Sequence, residues 1–127
     1  MELLLDTHAF LWWLADDQKL GARARAAIAD GANAVFVSAA SAWEIAVKRA
    51  NGKLDAPGDI RAWIDENGFA ALPISVEHAI ASADLPKHHP DPFDRLLVAQ
   101  AMLERLVLVA HDGEISRYGA AMLDARV

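Results

Sequence analysis

Short, uninterrupted apolar runs that alternate with helical segments constrain the fold of this chain more than any other feature. Leu3-Leu4-Leu5, Ala34-Val35-Phe36-Val37 and Leu106-Val107-Leu108-Val109-Ala110 carry no polar alternation. A strand with one wet face alternates, whereas a strand covered on both faces does not, and such strands belong to parallel sheets sandwiched between crossover helices. The intervening segments, about residues 7–14, 22–29, 39–50, 59–66, 76–83, 92–105 and 114–118, read as helices. Asn51-Gly52 and Asn67-Gly68 serve as stop signals. Residues 69–74 are predicted as a third strand and 122–125 as a last edge strand. The expectation is an α/β fold, a three-layer α/β/α arrangement around a central parallel sheet of four or five strands. At 127 residues, 54% hydrophobic and 24% charged, residues 1–127 are expected to form a single domain with one sizeable core.

Several classes are set aside at once. The chain has no cysteine, which removes disulfides, zinc–thiolate sites and thiol nucleophiles and suits a reducing cytoplasm. The start, Met1-Glu2-Leu3-Leu4-Leu5-Asp6, lacks the basic, then apolar, pattern of a signal peptide, and no run approaches the ~20 apolar residues of a membrane span. A cytoplasmic location without membrane contact is expected. The formal net charge of −6 argues against a broad basic footprint for nucleic acid. It leaves open a local site where bound cations invert the field.

Four acids stand where an apolar run stops or a helix begins: Asp6, Glu44, Asp94 and Asp112. In a parallel sheet the strand C-ends share one edge, and ligands bind in the crevice there. Carboxylates gathered at that edge repel one another unless a hard, oxygen-seeking cation such as Mg²⁺ or Mn²⁺ lies between them. Each acid also has a structural alternative. Asp6 and Asp112 suit helix N-caps, Asp94 suits a first turn, and Ser41-Ala42-Trp43-Glu44 matches a capping box with an i,i+4 partner in Lys48. Facing separates the readings. Asp94 continues the apolar stripe Leu97, Val98, Ala101, Met102, and Glu44 lies between Trp43 and Ile45, so both are predicted on core-facing surfaces. Asp91, followed by Pro92, reads as the cap of its own helix.

Taken in order, Leu4-Leu5-Asp6-Thr7-His8, Ser38 to Lys48 with Trp43-Glu44-Ile45, His89-Pro90-Asp91-Pro92-Phe93-Asp94-Arg95 with Ala99-Gln100-Ala101, and Val109-Ala110-His111-Asp112 resemble the PIN-domain ribonucleases, and among them the VapC-type toxins of type II toxin–antitoxin pairs. The resemblance spans essentially the whole chain and implies a PIN-like fold. It implies that Asp6, Glu44, Asp94 and Asp112 form a metal-binding and catalytic quartet loaded with Mg²⁺ or Mn²⁺. It further implies hydrolysis of RNA to 5′-phosphate and 3′-hydroxyl ends, a small antitoxin partner seated on a hydrophobic groove, and a homodimer or toxin–antitoxin hetero-oligomer. One departure is Ala110, where such proteins often carry Thr or Ser.

Other residues are expected to assist or to be neutral. Thr7 and Lys48 are candidates for contact with substrate or with the site acids, and Asp91 for a supporting role. Lys48, Arg49, Lys53 and Lys87 are a candidate track for a nucleic-acid backbone. His88 and His89 lie in a proline-flanked loop and are expected to be exposed. Trp12, Trp13, Trp43 and Trp63 are many for this length, and some are expected at an interface. There is no Gly-x-Ser-x-Gly elbow and no Walker A loop. Two rivals are a catalytically weak PIN-like module that binds RNA or protein, and a phosphatase of the haloacid dehalogenase class, which requires an Asp where this chain has His8.

Overall fold

The computed structural model describes residues 1–56 and 58–127. In chain order they form β1 (Glu2–Leu5), α1 (Thr7–Leu14), α2 (Ala22–Ala29), β2 (Ala34–Ser38), α3 (Ala39–Ala50), α4 (Ile60–Glu66), β3 (Ala70–Leu72), α5 (Val76–Asp84), α6 (Pro92–Glu104), β4 (Val107–Ala110), α7 (Gly113–Ser116) and β5 (Met122–Asp124). The strands build one five-stranded sheet in the order β3-β2-β1-β4-β5, every neighbouring pair parallel. Helices cover both faces, and the apolar runs divide between them by strand periodicity. Leu3 and Leu5 enter one core with Phe10, Ile28, Ile45 and Ile64. Leu4 enters the other with Leu97, Val98, Leu108 and Ile115. Continuous apolarity in β1 is thus the signature of a strand with no wet face. No helix among the described residues is long and apolar enough to cross a membrane.

Two expected elements differ in extent. β3 is three residues, Ala70–Leu72, rather than 69–74. It is an edge strand paired only with β2, Pro73 has no N–H to continue the ladder, and Phe69 is turned into the core beside Phe10. The last helix starts at Gly113, because the Asp112 carboxylate caps it by accepting from the Glu114 and Ile115 amides. Met102, expected on the core stripe of α6, is 46% exposed, while Leu97, Val98 and Ala101 are buried. A helix stripe drifts around the axis, and Met102 falls at the margin of the stripe that Leu97, Val98 and Ala101 bury.

A buried polar tie fixes the elements that carry the site. Ser38 ends β2 and caps α3 by accepting the Ala40 N–H, and its hydroxyl donates to Gln100 Oε1 in α6. The Gln100 amide donates to the Pro73 carbonyl at 3.2 Å. The strand order reverses between β1 and β4, so the crevice of this sheet opens at their C-terminal ends. Asp6 follows β1 and Asp112 follows β4.

Candidate active site

Asp6 leaves β1 and caps α1. Its amide donates to the Val109 carbonyl at 3.0 Å, pinning it to β4, and its Oδ1 accepts the Ala9 N–H at 2.7 Å. The residue is only 5% exposed. The cap takes Oδ1, so capping does not by itself remove Asp6 as a candidate ligand. Burial pushes the Asp6 carboxyl up to about 7, and the negative charges of Asp94, Glu44 and Asp112 push the same way, against the Ala9 amide.

Glu44 comes from the first half of α3 and is 4% exposed. Its Oε1 accepts the Thr7 hydroxyl at 2.7 Å, and its Oε2 pairs with Lys48 Nζ at 2.5 Å. Thr7 also shares a 3.0 Å hydrogen bond with the buried Ser41 hydroxyl. The capping box expected of Ser41 and Glu44 does not form. Ser38 is the cap, and Ser41 instead orients Thr7. The hydrogen bond to Glu44 pushes the Lys48 ammonium above its ordinary range, with Asp91 and Asp94 adding to it.

Asp94 lies in the first turn of α6, which Asp91 caps by accepting the Phe93 and Asp94 amides, as Asp-Pro predicts. Burial pushes the Asp94 carboxyl up to about 6. Asp91, Glu44 and Asp112 reinforce this and His89 opposes it. Burial also acts on Asp112, but a hydrogen bond from His89 and the two amides of α7 outweigh it and hold that carboxyl below its ordinary value. His89 is not exposed as expected: its side chain is 13% exposed, with Nε2 3.1 Å from Asp94 Oδ2 and 3.0 Å from Asp112 Oδ2. A loop flanked by proline has no periodicity from which burial can be read, and only the folded contacts reveal this residue.

Arg95 is the second residue the sequence did not single out. Its guanidinium donates to the carbonyls of Ser82, Leu85, Pro86 and His89, closing the segment between α5 and α6. The basic track is only partly assembled. Arg49 is taken up by the Ala56 and Gly58 carbonyls and lies over the Trp63 ring, and Lys48 is committed to Glu44. Trp43 stands 55% exposed against Phe93, whose ring centroid is 4.8 Å away, and each precedes a site acid in sequence.

Asp6, Glu44, Asp94 and Asp112 therefore come from four separate segments into one mutual electrostatic field. The donors are hard carboxylate oxygens, and in two of the groups burial, reinforced by the neighbouring acids, pushes the carboxyl up. That donor set fits a divalent cation. The sequence profile of the PIN domain matches residues 3–121. The chain belongs to the PIN-domain family.

Relatives of this PIN domain agree. It is 29% identical over 113 residues to Ribonuclease VapC22 of Mycobacterium tuberculosis (strain ATCC 25618 / H37Rv), covering 87% of this chain and 86% of that protein. Its fold is similar to that of VapBC2 from Rickettsia felis bound to a DNA fragment from their promoter, with a TM-score of 0.69 at 13% identity over 97% of this chain and 98% of that one. A toxin–antitoxin complex from Klebsiella pneumoniae gives 0.64 at 20% identity over 97% of both chains.

The geometry makes Thr7 the support of Glu44 rather than a free hydroxyl. Thr7→Val keeps the shape and removes the donor, so Glu44 is expected to lose its orientation and metal affinity to fall about 10- to 100-fold. Mn²⁺ titration of the two proteins checks this, and equal affinity would count against the role of Thr7.

Proposed function

We propose that this PIN-domain protein is a divalent-metal-dependent endoribonuclease that hydrolyses RNA phosphodiester bonds as the toxin of a type II toxin–antitoxin pair. The reading is carried by the convergence of Asp6, Glu44, Asp94 and Asp112 at the crevice of the sheet, with Asp6 raised to about 7 and Asp94 to about 6 by burial and mutual charge. The name of the VapC22 relative and the toxin–antitoxin assembly of the structural neighbours support it. Residues 1–127 act as one domain, in the cytoplasm.

Asp6 and Asp94 are the primary ligands for Mg²⁺ or Mn²⁺. Glu44, turned by Thr7 and balanced by Lys48, holds a second ion or the attacking water. Asp112 already gives Oδ1 to the α7 amides and Oδ2 to His89, so it enters through water. A divalent ion at such a site lowers the pKa of bound water, neutralises the phosphate and stabilises the leaving oxygen. Purified protein is expected to cleave RNA with Mg²⁺ or Mn²⁺, to leave 5′-phosphate and 3′-hydroxyl ends, and to stop on addition of EDTA. Cleavage indifferent to EDTA, or ends bearing a 2′,3′-cyclic phosphate, would defeat the reading.

The antitoxin is assigned to the groove of about 570 Å³ lined by Leu11, Trp12, Leu14, Leu54 and Trp63. Leu11, Trp12 and Leu14 belong to α1, five to eight residues on from Asp6, so a partner seated there must extend about 8–12 Å along the helix to reach Asp6. Trp12→Glu places a charge in the groove and is expected to weaken the complex at least roughly 30-fold while sparing cleavage. Copurification with the antitoxin followed by titration checks both halves. The complex is a hetero-oligomer of toxin and antitoxin, or a toxin homodimer bound by it.

A further inference from the structure

The loop before α6 places an imidazole among the site acids, and its hydrogen bonds decide what that ring can do. His89 Nε2 lies 3.1 Å from Asp94 Oδ2 and 3.0 Å from Asp112 Oδ2. One donor atom from each of these three residues lies within 4.8 Å of the others, the spacing of a three-ligand metal group. The other ring nitrogen argues differently. His89 Nδ1 accepts the backbone N–H of Asp91 at 3.0 Å. An amide nitrogen only donates, so the Nδ1 lone pair is occupied and the ring proton sits on Nε2. A histidine that ligates a metal has the reverse arrangement, donating its second N–H to a carbonyl or carboxylate while its bare nitrogen faces the ion.

We propose that His89 is a positioning residue rather than a metal ligand: its Nε2–H is a fixed donor to Asp112 Oδ2, and the ring edge that makes this bond stands 3.1 Å from Asp94 Oδ2, so it sets where the two carboxylates lie relative to each other. The proposal rests on the metal-dependent nuclease reading. The ring is held from several sides. Pro90 restricts residue 89 to extended backbone. The His89 amide donates to the Tyr118 hydroxyl at 2.9 Å, and the His89 carbonyl accepts from Arg95 at 3.4 Å. Ala110, next to the sheet edge, presents only a methyl group, so among the described residues His89 is the side chain that donates to Asp112. With Oδ2 of both acids turned to His89, Asp94 keeps Oδ1 for the ion. Asp112, with Oδ1 on the Glu114 and Ile115 amides, is fixed as an outer neighbour.

Pulsed electron paramagnetic resonance of Mn²⁺ bound to the whole protein tests this, with Mn²⁺ affinity measured for His89→Gln and His89→Met. The expected spectrum shows no directly coordinated nitrogen. His89→Gln, whose amide can donate, is expected to bind Mn²⁺ within a few-fold of wild type, and His89→Met about 10- to 100-fold more weakly. Nitrogen-15 spectra of the metal-free wild type are expected to show a bare Nδ1 and a protonated Nε2 in His89, a readout that does not depend on the variants folding. A directly coupled nitrogen, the opposite tautomer, or wild-type affinity in His89→Met overturns the positioning role while leaving the metal site in place. Absence of any Mn²⁺ binding by wild type overturns the nuclease reading, and the proposal falls with it.

Discussion

Asp6→Asn and Asp94→Asn are each expected to reduce RNA cleavage roughly 10⁴-fold or more, the scale on which removal of one member of a catalytic unit acts. Asn keeps the shape, and Asp6→Asn keeps the oxygen that caps α1 through the Ala9 N–H, so the loss reads charge rather than folding. Activity is also expected to depend on pH in a definite direction. A carboxyl must shed its proton to hold a cation. Asp6 sheds it at about 7 and Asp94 at about 6. At limiting Mg²⁺, cleavage therefore falls as pH drops through this window, and added Mg²⁺ restores it by competing with the proton. Initial rates across pH at two Mg²⁺ concentrations measure this. A pH profile unmoved by Mg²⁺ would mean that the protons leave some other group.

Arg95→Met is expected to lower stability by roughly 3–5 kcal/mol, because several carbonyls lose a charged donor at once. The guanidinium reaches Ser82 and Leu85 at 2.9 and 3.0 Å, and Pro86 at 3.1 Å. The same segment carries His89 and leads into Asp91, so cleavage is expected to fall with the four acids untouched. Urea unfolding together with amide exchange over residues 82–91 distinguishes this from a general loss. Protection lost across the whole sheet would place Arg95 in the core of folding rather than in the loop.

Legibility in the sequence followed the range of the interaction responsible. β1 and β4 were readable because burial on both faces leaves an unbroken apolar run, and Asp6 and Asp112 were readable because strand ends share an edge. Asp91 was readable because Asp-Pro at a helix start is a local pattern, and the helix shows the cap it predicts. Glu44 was readable as a core-facing acid, but its partner was not: Thr7 lies 37 positions away, and the local Ser41 pattern suggested a cap that Ser38 supplies instead. His89 and Arg95 were missed for one reason. Their roles depend on a loop path between α5 and α6 that no periodicity encodes. The end of β3 was overestimated because Phe69 and Ile74 are apolar enough for a strand, while Pro73 and a single pairing partner stop the ladder sooner.

Whether the acids form a site built for a cation is tested most directly by the thermal midpoint of wild type and Asp6→Asn at pH 8, each in EDTA and in saturating Mg²⁺. An Asp in an unfolded chain ionises near its ordinary 3.8, whereas in the fold Asp6 keeps its proton to about 7. The folded state thus binds more protons between these values, and stability declines as pH rises through that window, by up to about 4 kcal/mol at about 1.36 kcal/mol per unit. Asp6→Asn escapes this decline, so in EDTA the variant is predicted to melt above wild type. Mg²⁺ binds the folded wild type and stabilises it in proportion to the logarithm of its saturation, which the variant cannot match, so in Mg²⁺ the order is predicted to reverse. The same order in both conditions, or a wild type that Mg²⁺ leaves unmoved, would mean that the acids do not form a cation site.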